Sequence, residues 1–320
     1  MKEYVVRSSE EGQTLEKYVR KVLDQVPLSF IYRLFRKKDV RVNNHREDRK
    51  FIVHQNDVVS IYISDEKYDE FISEENVVKP NNELEQYIIY EDENILLVNK
   101  PRGLLVQKDR KNVKALDDMV LSYLSYKGEY DPNNKAFTPG PSHRLDRNTA
   151  GIVIFGKNIL TLQYLMSIMQ DKSKIEKRYT ALVLGNIYKP GKVDAPLKKE
   201  SDKSLVKIAP IKDGGKEAIT LYEPIKNYGD YCLLSLTLLT GRTHQIRVHM
   251  ASINHPVIGD NKYGDFAINK VFKEKYHFTN QFLMASSVTF HNLEYPLDYL
   301  SEKKFKVDLD NDMFQILQNI

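Results

Sequence analysis

The second half of the chain carries three long stretches rich in β-branched and aromatic residues: RYTALVLGNI (178–187), EAITLYEPIKN (217–227) and YCLLSLTLLTG (231–241). Segments of this kind hide their apolar residues only by pairing in a sheet. A late segment, FLMASSVTFHN (282–292), reads the same way, and YIIYEDENILLVNKPRGLLVQ (87–107) alternates apolar strands with turns at 91–94 and 101–103. Helical spacing predicts helices over 113–126, 158–171 and 244–253 between these strands. The fold class that follows is α+β: one large, mixed but mostly antiparallel sheet with flanking helices.

Residues 1–65 read as a separate, small α+β module. TLEKYVRKVLDQ (14–25) and SFIYRLFRKK (29–38) are amphipathic helices, and Thr14 is placed to cap the first. DVRVNNHR (39–46) is a strand with an Asn43-Asn44 turn, and NDVVSIYI (56–63) closes the module. Residues 14–50 hold eleven Lys and Arg against five Asp and Glu. Arg33, Arg36, Lys37 and Lys38 lie off the apolar face of the second helix, and Arg41 follows in the strand. Residues 66–85 read as an acidic, exposed linker, because 64–86 contain eight acids and two lysines. The main domain is expected over 86–310.

The overall composition excludes several classes. The net charge of +4 is too small to mark a nucleic-acid binder by itself, so the local basic ridge matters more. No run of about 18 apolar residues is present, and MKEYVVRSSEEGQ has no apolar signal core, which gives a cytoplasmic expectation. The single cysteine, Cys232, lies in an apolar run and reads as an inert core thiol. Dinucleotide, Walker and serine-esterase signatures are absent.

Two stretches carry concentrated polar chemistry. In PSHRLDRNTAGIVIFGKN (141–158), Asp146 stands between Arg144 and Arg147, just ahead of the apolar run Ile152–Phe155. Neighbouring guanidinium groups would keep such a carboxylate ionised, fit to be an ion-pair strut, a metal ligand, a base or a nucleophile. In GRTHQIRVHMASINHPVIGDNKYG (241–264), Ile246, Met250 and Ile253 form a helical stripe, leaving Arg242, Gln245 and Arg247 for polar roles at a helix start. His244 and His249 are five residues apart with no glutamate between them, which argues against a zincin-type metal site.

Four segments, VNKPRGLLV (98–106), SHRLDRNTAG (142–151), KRYTALVLG (177–185) and GRTHQIRVHMASINHPVIGDNKYG, together resemble the RluA-type pseudouridine synthases, in that family's order. The resemblance runs from about residue 86 to 295. The N-terminal module is similar to the small RNA-binding domain named after a ribosomal small-subunit protein. By this resemblance Asp146 is the nucleophile, Arg247 its basic partner, and Tyr179 packs on the target base. Arg144 fills the space left by an extruded uridine, with His143, Arg147, Arg242, His244 and Gln245 supporting the RNA site. The resemblance also implies isomerisation of uridine to pseudouridine in structured RNA without cofactor or metal; a monomer is the default expectation. The N-terminal module points to large-subunit ribosomal RNA. Ala150 stands where the family usually has serine, Gln107 replaces a common histidine, and Met284 sits where a histidine often precedes Ala285.

Two other readings are open on the residues alone. One is a non-catalytic RNA-binding or ribosome-assembly protein. The other is a metal-dependent hydrolase built on His244, His249 and Asp146.

Overall fold

The computed structural model describes residues 1–24, 26–71, 78–108, 114–132, 136–200 and 205–320. The ends of two expected helices, Gln25 and Val113, and residues 72–77 of the acidic stretch lie outside the described residues. The chain divides into two compact units that alternate along the sequence. The first holds Met1–Leu96, Asp117–Ser142 and Ile154–Met166; the second holds Leu97–Leu116, His143–Val153 and Ser167–Ile320.

In the first unit, β1 (Lys2–Val5), α1 (Leu15–Val22), α2 (Leu28–Lys37), β2 (Val40–Val42) and β3 (Val58–Ile61) follow in order, then the short α3 (Asp65–Asp69). The three strands form a sheet in the order β1-β3-β2. Thr14 caps α1 by accepting from the Lys17 N–H. Asn43 and Asn44 both adopt positive φ, as the tight turn after β2 requires. Leu15, Tyr18, Val19, Ile31, Leu34, Val40, Val59 and Ile61 make one buried core.

That core reaches further than the expected boundary at residue 65. Tyr68 and Phe71, from the stretch read as a linker, pack against it, and Ala136 joins it. Gln13 donates to the Ala136 carbonyl, and the Ile159 N–H to that of Ser9. The charge count predicts an exposed tether; two aromatic rings inside the acidic stretch are enough to fold part of it back.

The remaining elements are β4 (Ile88–Glu91), β5 (Ile95–Lys100), α4 (Leu116–Tyr126), β6 (Gly140–Pro141), β7 (Ala150–Gly156), α5 (Ile159–Ile168), β8 (Ile175–Leu184), β9 (Gly191–Asp194), β10 (Leu197–Lys199), β11 (Val206–Ile208), β12 (Ile219–Tyr228), β13 (Tyr231–Leu238), α6 (Gln245–Ser252), α7 (Phe266–Tyr276), β14 (Leu283–Phe290), β15 (Lys304–Lys306) and α8 (Asn311–Asn319). Among the described residues one ten-stranded sheet has the order β4-β5-β7-β14-β8-β13-β12-β9, with β6 on β7 and β15 on β14. The β8, β12, β13, β14 and β15 pairings are antiparallel except where β14 meets β7, which is parallel.

Within the second unit, Leu182, Leu233, Phe272, Phe278, Phe282 and Met284 form a core that Met313 and Ile316 of α8 complete, so the unit extends past residue 310. All seven residues of β7 are buried. Each fully buried aliphatic or aromatic side chain in that run contributes about 1.5–3 kcal/mol, which makes β7 a firm anchor for whatever precedes it. Among the described residues no helix is long and apolar enough to cross a membrane.

Candidate active site

Asp146 sits in the loop that enters β7. The Thr149 N–H donates to the Asp146 carbonyl, closing a tight turn, and the Thr149 hydroxyl is held by Gln281 at 3.2 Å. Two residues on, Gly151 has φ +108° and pairs with Ala285 of β14. A Cβ there would run into the Ala285 backbone, so only glycine lets the two strands meet. Buried strand, turn and close approach together fix where the carboxylate stands.

The turn after β5 is tied to the same loop. Gly103 N–H donates to the Arg147 carbonyl, and Arg147 Nε donates back to the Gly103 carbonyl at 3.0 Å. The Lys100 ammonium is wholly buried and donates to three carbonyls, of Pro101 (2.9 Å), Leu104 (2.8 Å) and Arg147 (3.0 Å). Burial pushes its pKa down to about 7, against the pull of the Asp146 charge.

The charge partner of Asp146 comes from α6. Arg247 Nη1 donates to Asp146 Oδ2 at 3.0 Å, while Nε and Nη2 donate to the two oxygens of Asp260 at 2.6 and 2.8 Å. Asp260 also accepts the N–H groups of Lys262 and Tyr263. Burial would raise the Asp260 pKa, but the Arg247 hydrogen bonds and charge overcome it and hold it low. Burial likewise opposes the charge on Arg247, and Asp260 and Asp146 more than restore it. A fork-shaped guanidinium bound on two sides has little freedom left.

Tyr179 lies on β8, opposite Leu236 of β13 and Ala285 of β14, and is buried. Burial, and then the nearby Asp146 charge, raises its hydroxyl pKa. His244 caps α6 in the left-handed region, its Nε2 3.8 Å from Asp146 Oδ2. Asp146, Arg247, Tyr179 and His244 therefore gather at one place.

Other expected site residues sit differently. Neither flanking arginine pairs with Asp146: Arg147 is exposed and binds Gly103, and Arg144 is exposed with no ion pair among the described residues. Adjacent side chains in a turn diverge, so the neutralising cation arrives from a distant helix instead. Gln245 is buried and its amide is used within the fold, accepting from Thr240 and Arg242 and donating to Ile219 and Thr220, so it has no capacity left for RNA. Arg242 remains exposed, anchored through Nε to the Glu217 carbonyl. His143 has its pKa lowered by burial and then by Lys177, which leaves it neutral.

His249 is buried with both ring nitrogens engaged, by Thr220 Oγ1 and the Ala195 carbonyl, each at 2.9 Å, so it is not a partner of Asp146 as the hydrolase reading requires. Among the described residues no three His, Cys, Asp or Glu side chains group as metal ligands would. Lys100, Asp260 and Tyr263 all fall inside the quoted motifs, yet nothing in their spacing marks them as parts of the site.

In the first unit, Arg36, Lys38, Arg46 and Arg49 line a pocket of about 580 Å³ with Tyr32, Phe35, Glu47 and Asp48. Lys37 is exposed beside it. Arg33 stacks on Phe30, 4.3 Å from the ring centre, and Arg41 on Tyr62 at 4.9 Å.

Residues 94–252 match the family model described as RNA pseudouridylate synthase. An uncharacterized RNA pseudouridine synthase of Mycoplasma capricolum is 32% identical over 312 residues, covering 95% of this chain and 96% of that one. A ribosomal large subunit pseudouridine synthase C of Vibrio vulnificus is 32% identical over 87% of this chain and 85% of its own. A ribosomal large subunit pseudouridine synthase D of Borreliella burgdorferi is 37% identical over 64% of this chain and 63% of its own. The structure of human RNA pseudouridylate synthase domain containing 4 shares the fold, with a TM-score of 0.58 and 20% identity over 73% of this chain and 94% of that one.

Proposed function

The chain belongs to the RluA-type RNA pseudouridine synthases, isomerases that act on RNA, and from that premise we propose that Asp146 is the nucleophile of the reaction. The observation that carries this reading is the arrangement of its partner: Arg247 reaches Asp146 at 3.0 Å while Asp260 clamps its other face. A nucleophilic carboxylate needs to be aimed, and the Arg247 hydrogen bond, from a guanidinium itself clamped by Asp260, supplies that. Buried β7 behind the loop supplies rigidity.

The other roles follow from position. Tyr179 packs against the uracil ring beside the carboxylate. Exposed Arg144 fills the stack when the target uridine is extruded, a step that costs a few kcal/mol. Arg242 contacts the backbone of the bound RNA. The basic pocket of α2, with two aromatic rings among its cations, holds a further stretch of RNA through phosphates and base stacking. The substrate we infer is large-subunit ribosomal RNA, which the relatives' names specify for those proteins, met in the cytoplasm by a monomer.

Asp146→Asn tests the central assignment. The swap keeps shape and removes the anion. Pseudouridine formation is expected to vanish, with RNA affinity and thermal unfolding close to wild type. Turnover by a rigorously purified Asn variant rejects Asp146 as nucleophile.

A further inference from the structure

The two oxygens of Asp146 are held unequally. Oδ2 receives Arg247 Nη1 at 3.0 Å and faces His244 Nε2 at 3.8 Å, whereas Oδ1 accepts no hydrogen bond among the described residues. His244 is placed for this by its backbone. It stands in the left-handed region, φ +55°, immediately before α6, an uncommon conformation for a residue with a side chain.

Its protonation pattern follows from counting hydrogens. The Tyr263 hydroxyl oxygen accepts the Val206 N–H at 2.8 Å and lies 2.8 Å from His244 Nδ1. A hydroxyl whose oxygen already accepts the Val206 N–H can turn its one hydrogen to Nδ1. A neutral imidazole whose Nδ1 accepts must carry its hydrogen on Nε2, the nitrogen that faces Asp146. The same tyrosine ring lies under the Arg247 guanidinium, 5.1 Å from its centre, so one residue backs both side chains that face Oδ2.

We propose that His244, fixed by Tyr263 as the Nε2–H form, is a positioning residue: it turns that N–H toward Oδ2 from 3.8 Å, outside direct hydrogen-bonding distance, while Arg247 bonds the same oxygen, which leaves Oδ1 as the oxygen that reacts. The proposal rests on the nucleophile reading of Asp146. It explains why a histidine sits beside the carboxylate when an arginine already neutralises it. Arg247 supplies charge, and His244 supplies direction.

The pH dependence of a Tyr263→Phe variant carries the test. The charged and titratable groups facing His244 are Asp146, Arg247, Lys262, Asp260 and Tyr263. Burial lowers the His244 pKa, Arg247 and Lys262 add to that, and the two carboxylates oppose it. Without the tyrosine hydroxyl, neutral His244 is free to place its hydrogen on Nδ1 and lose the donor. Protonated His244 carries hydrogens on both nitrogens and needs no tyrosine.

Single-turnover rates of the full chain on its RNA, taken relative to wild type from pH 8 to pH 5, are expected to show Tyr263→Phe slowed on the order of tenfold to a hundredfold at pH 8. The gap should narrow steadily toward pH 5, with RNA affinity unchanged. A deficit that stays constant across this range overturns the proposal. His244→Gln and His244→Met provide a second arm with side chains of similar length, of which only Gln keeps a donor. Gln is expected to be faster by about tenfold, and equal rates for the two overturn the proposal as well. Asp146→Asn run in parallel separates the two levels: turnover there removes the nucleophile reading and this inference together, while an inactive Asn variant with a pH-independent Tyr263→Phe deficit removes this inference alone.

Discussion

Arg247 is 5% exposed and makes three hydrogen bonds to two carboxylates, and Lys100 is fully buried among three carbonyls. Arg36, Lys37 and Lys38, at the end of α2, are exposed and have no ion pair within 4.0 Å among the described residues. Both regions are basic, yet they hold charge in opposite ways. In the first, each cation has one geometry and its removal leaves a buried group unmatched. In the second, the cations keep their rotamers and their water, as suits a surface that meets phosphates in many arrangements. The contrast divides labour between aiming an atom and gathering a polyanion.

The sharpest way to break this contrast is to strip a partner from the buried side. Asp260→Ala strips Arg247 of its two-pronged partner, leaving Asp146 as the remaining counter-charge and the buried Nε and Nη2 unmatched, and a loss of about 3–5 kcal/mol in unfolding free energy is expected by urea titration. If the variant is as stable as wild type, the clamp on Arg247 is not the rigid element described above.

Next in size is an exposed cation near the site. Arg144→Ala should slow pseudouridine formation by roughly tenfold to a hundredfold on a folded RNA, since unstacking costs a few kcal/mol. The penalty should shrink on an unstructured strand carrying the same uridine. Equal penalties on both would move Arg144 from the exposed, RNA-facing class into the geometric one.

Lys100 gives a pH signature of burial. Its folded pKa of about 7 lies below its ordinary value, so between about pH 7 and 10 the unfolded chain binds the extra proton. Stability contributed by this group therefore rises as pH rises through that window and is lowest below it. The melting-temperature difference between wild type and Lys100→Met should shift in favour of wild type as pH increases from 7 to 10. A flat difference would mean that burial does not lower the Lys100 pKa.

The smallest effect is expected on the α2 ridge. Replacing Arg36 and Lys38 together by Ala should leave the fold and the chemical step unchanged and weaken RNA binding several-fold. The slope of log affinity against log salt should fall by about 0.7–0.9 for each phosphate contact removed. An unchanged slope places the RNA elsewhere.

The sequence revealed the two architectures unequally. Strands β8, β12, β13 and β14 were legible because they run for eight to ten residues and apolar, β-branched or aromatic residues recur along that length. β9, β10 and β11 are three or four residues long and rich in Lys and Asp, so they carry no alternation to read. α8 escaped notice because its buried face is only Met313 and Ile316. In the site, Asp146 and Arg247 stood out within their motifs, whereas Asp260 lies thirteen residues after Arg247 in a loop and shows its role only when the chain folds back. Lys100 stands within VNKPRGLLV, where nothing in the sequence announces its burial, since lysine is a residue type expected in water. The flanking arginines misled for the same reason: proximity along the chain is visible in a sequence and direction in space is not.

Gly151 limits how this enzyme can change. Because β7 meets β14 there with no room for a side chain, the six residues from Asp146 to Gly151 behave as a ruler with one end welded. A one-residue insertion would slide the carboxylate by about 3.3 Å along the strand direction, as far as the whole Asp146–Arg247 separation of 3.0 Å. Point substitutions at Arg144, Arg147 or Ala150 can be explored one at a time without moving the ruler's fixed end. Length variation in this interval cannot, so descendants of this chain are free to alter what surrounds the carboxylate and bound to keep its distance.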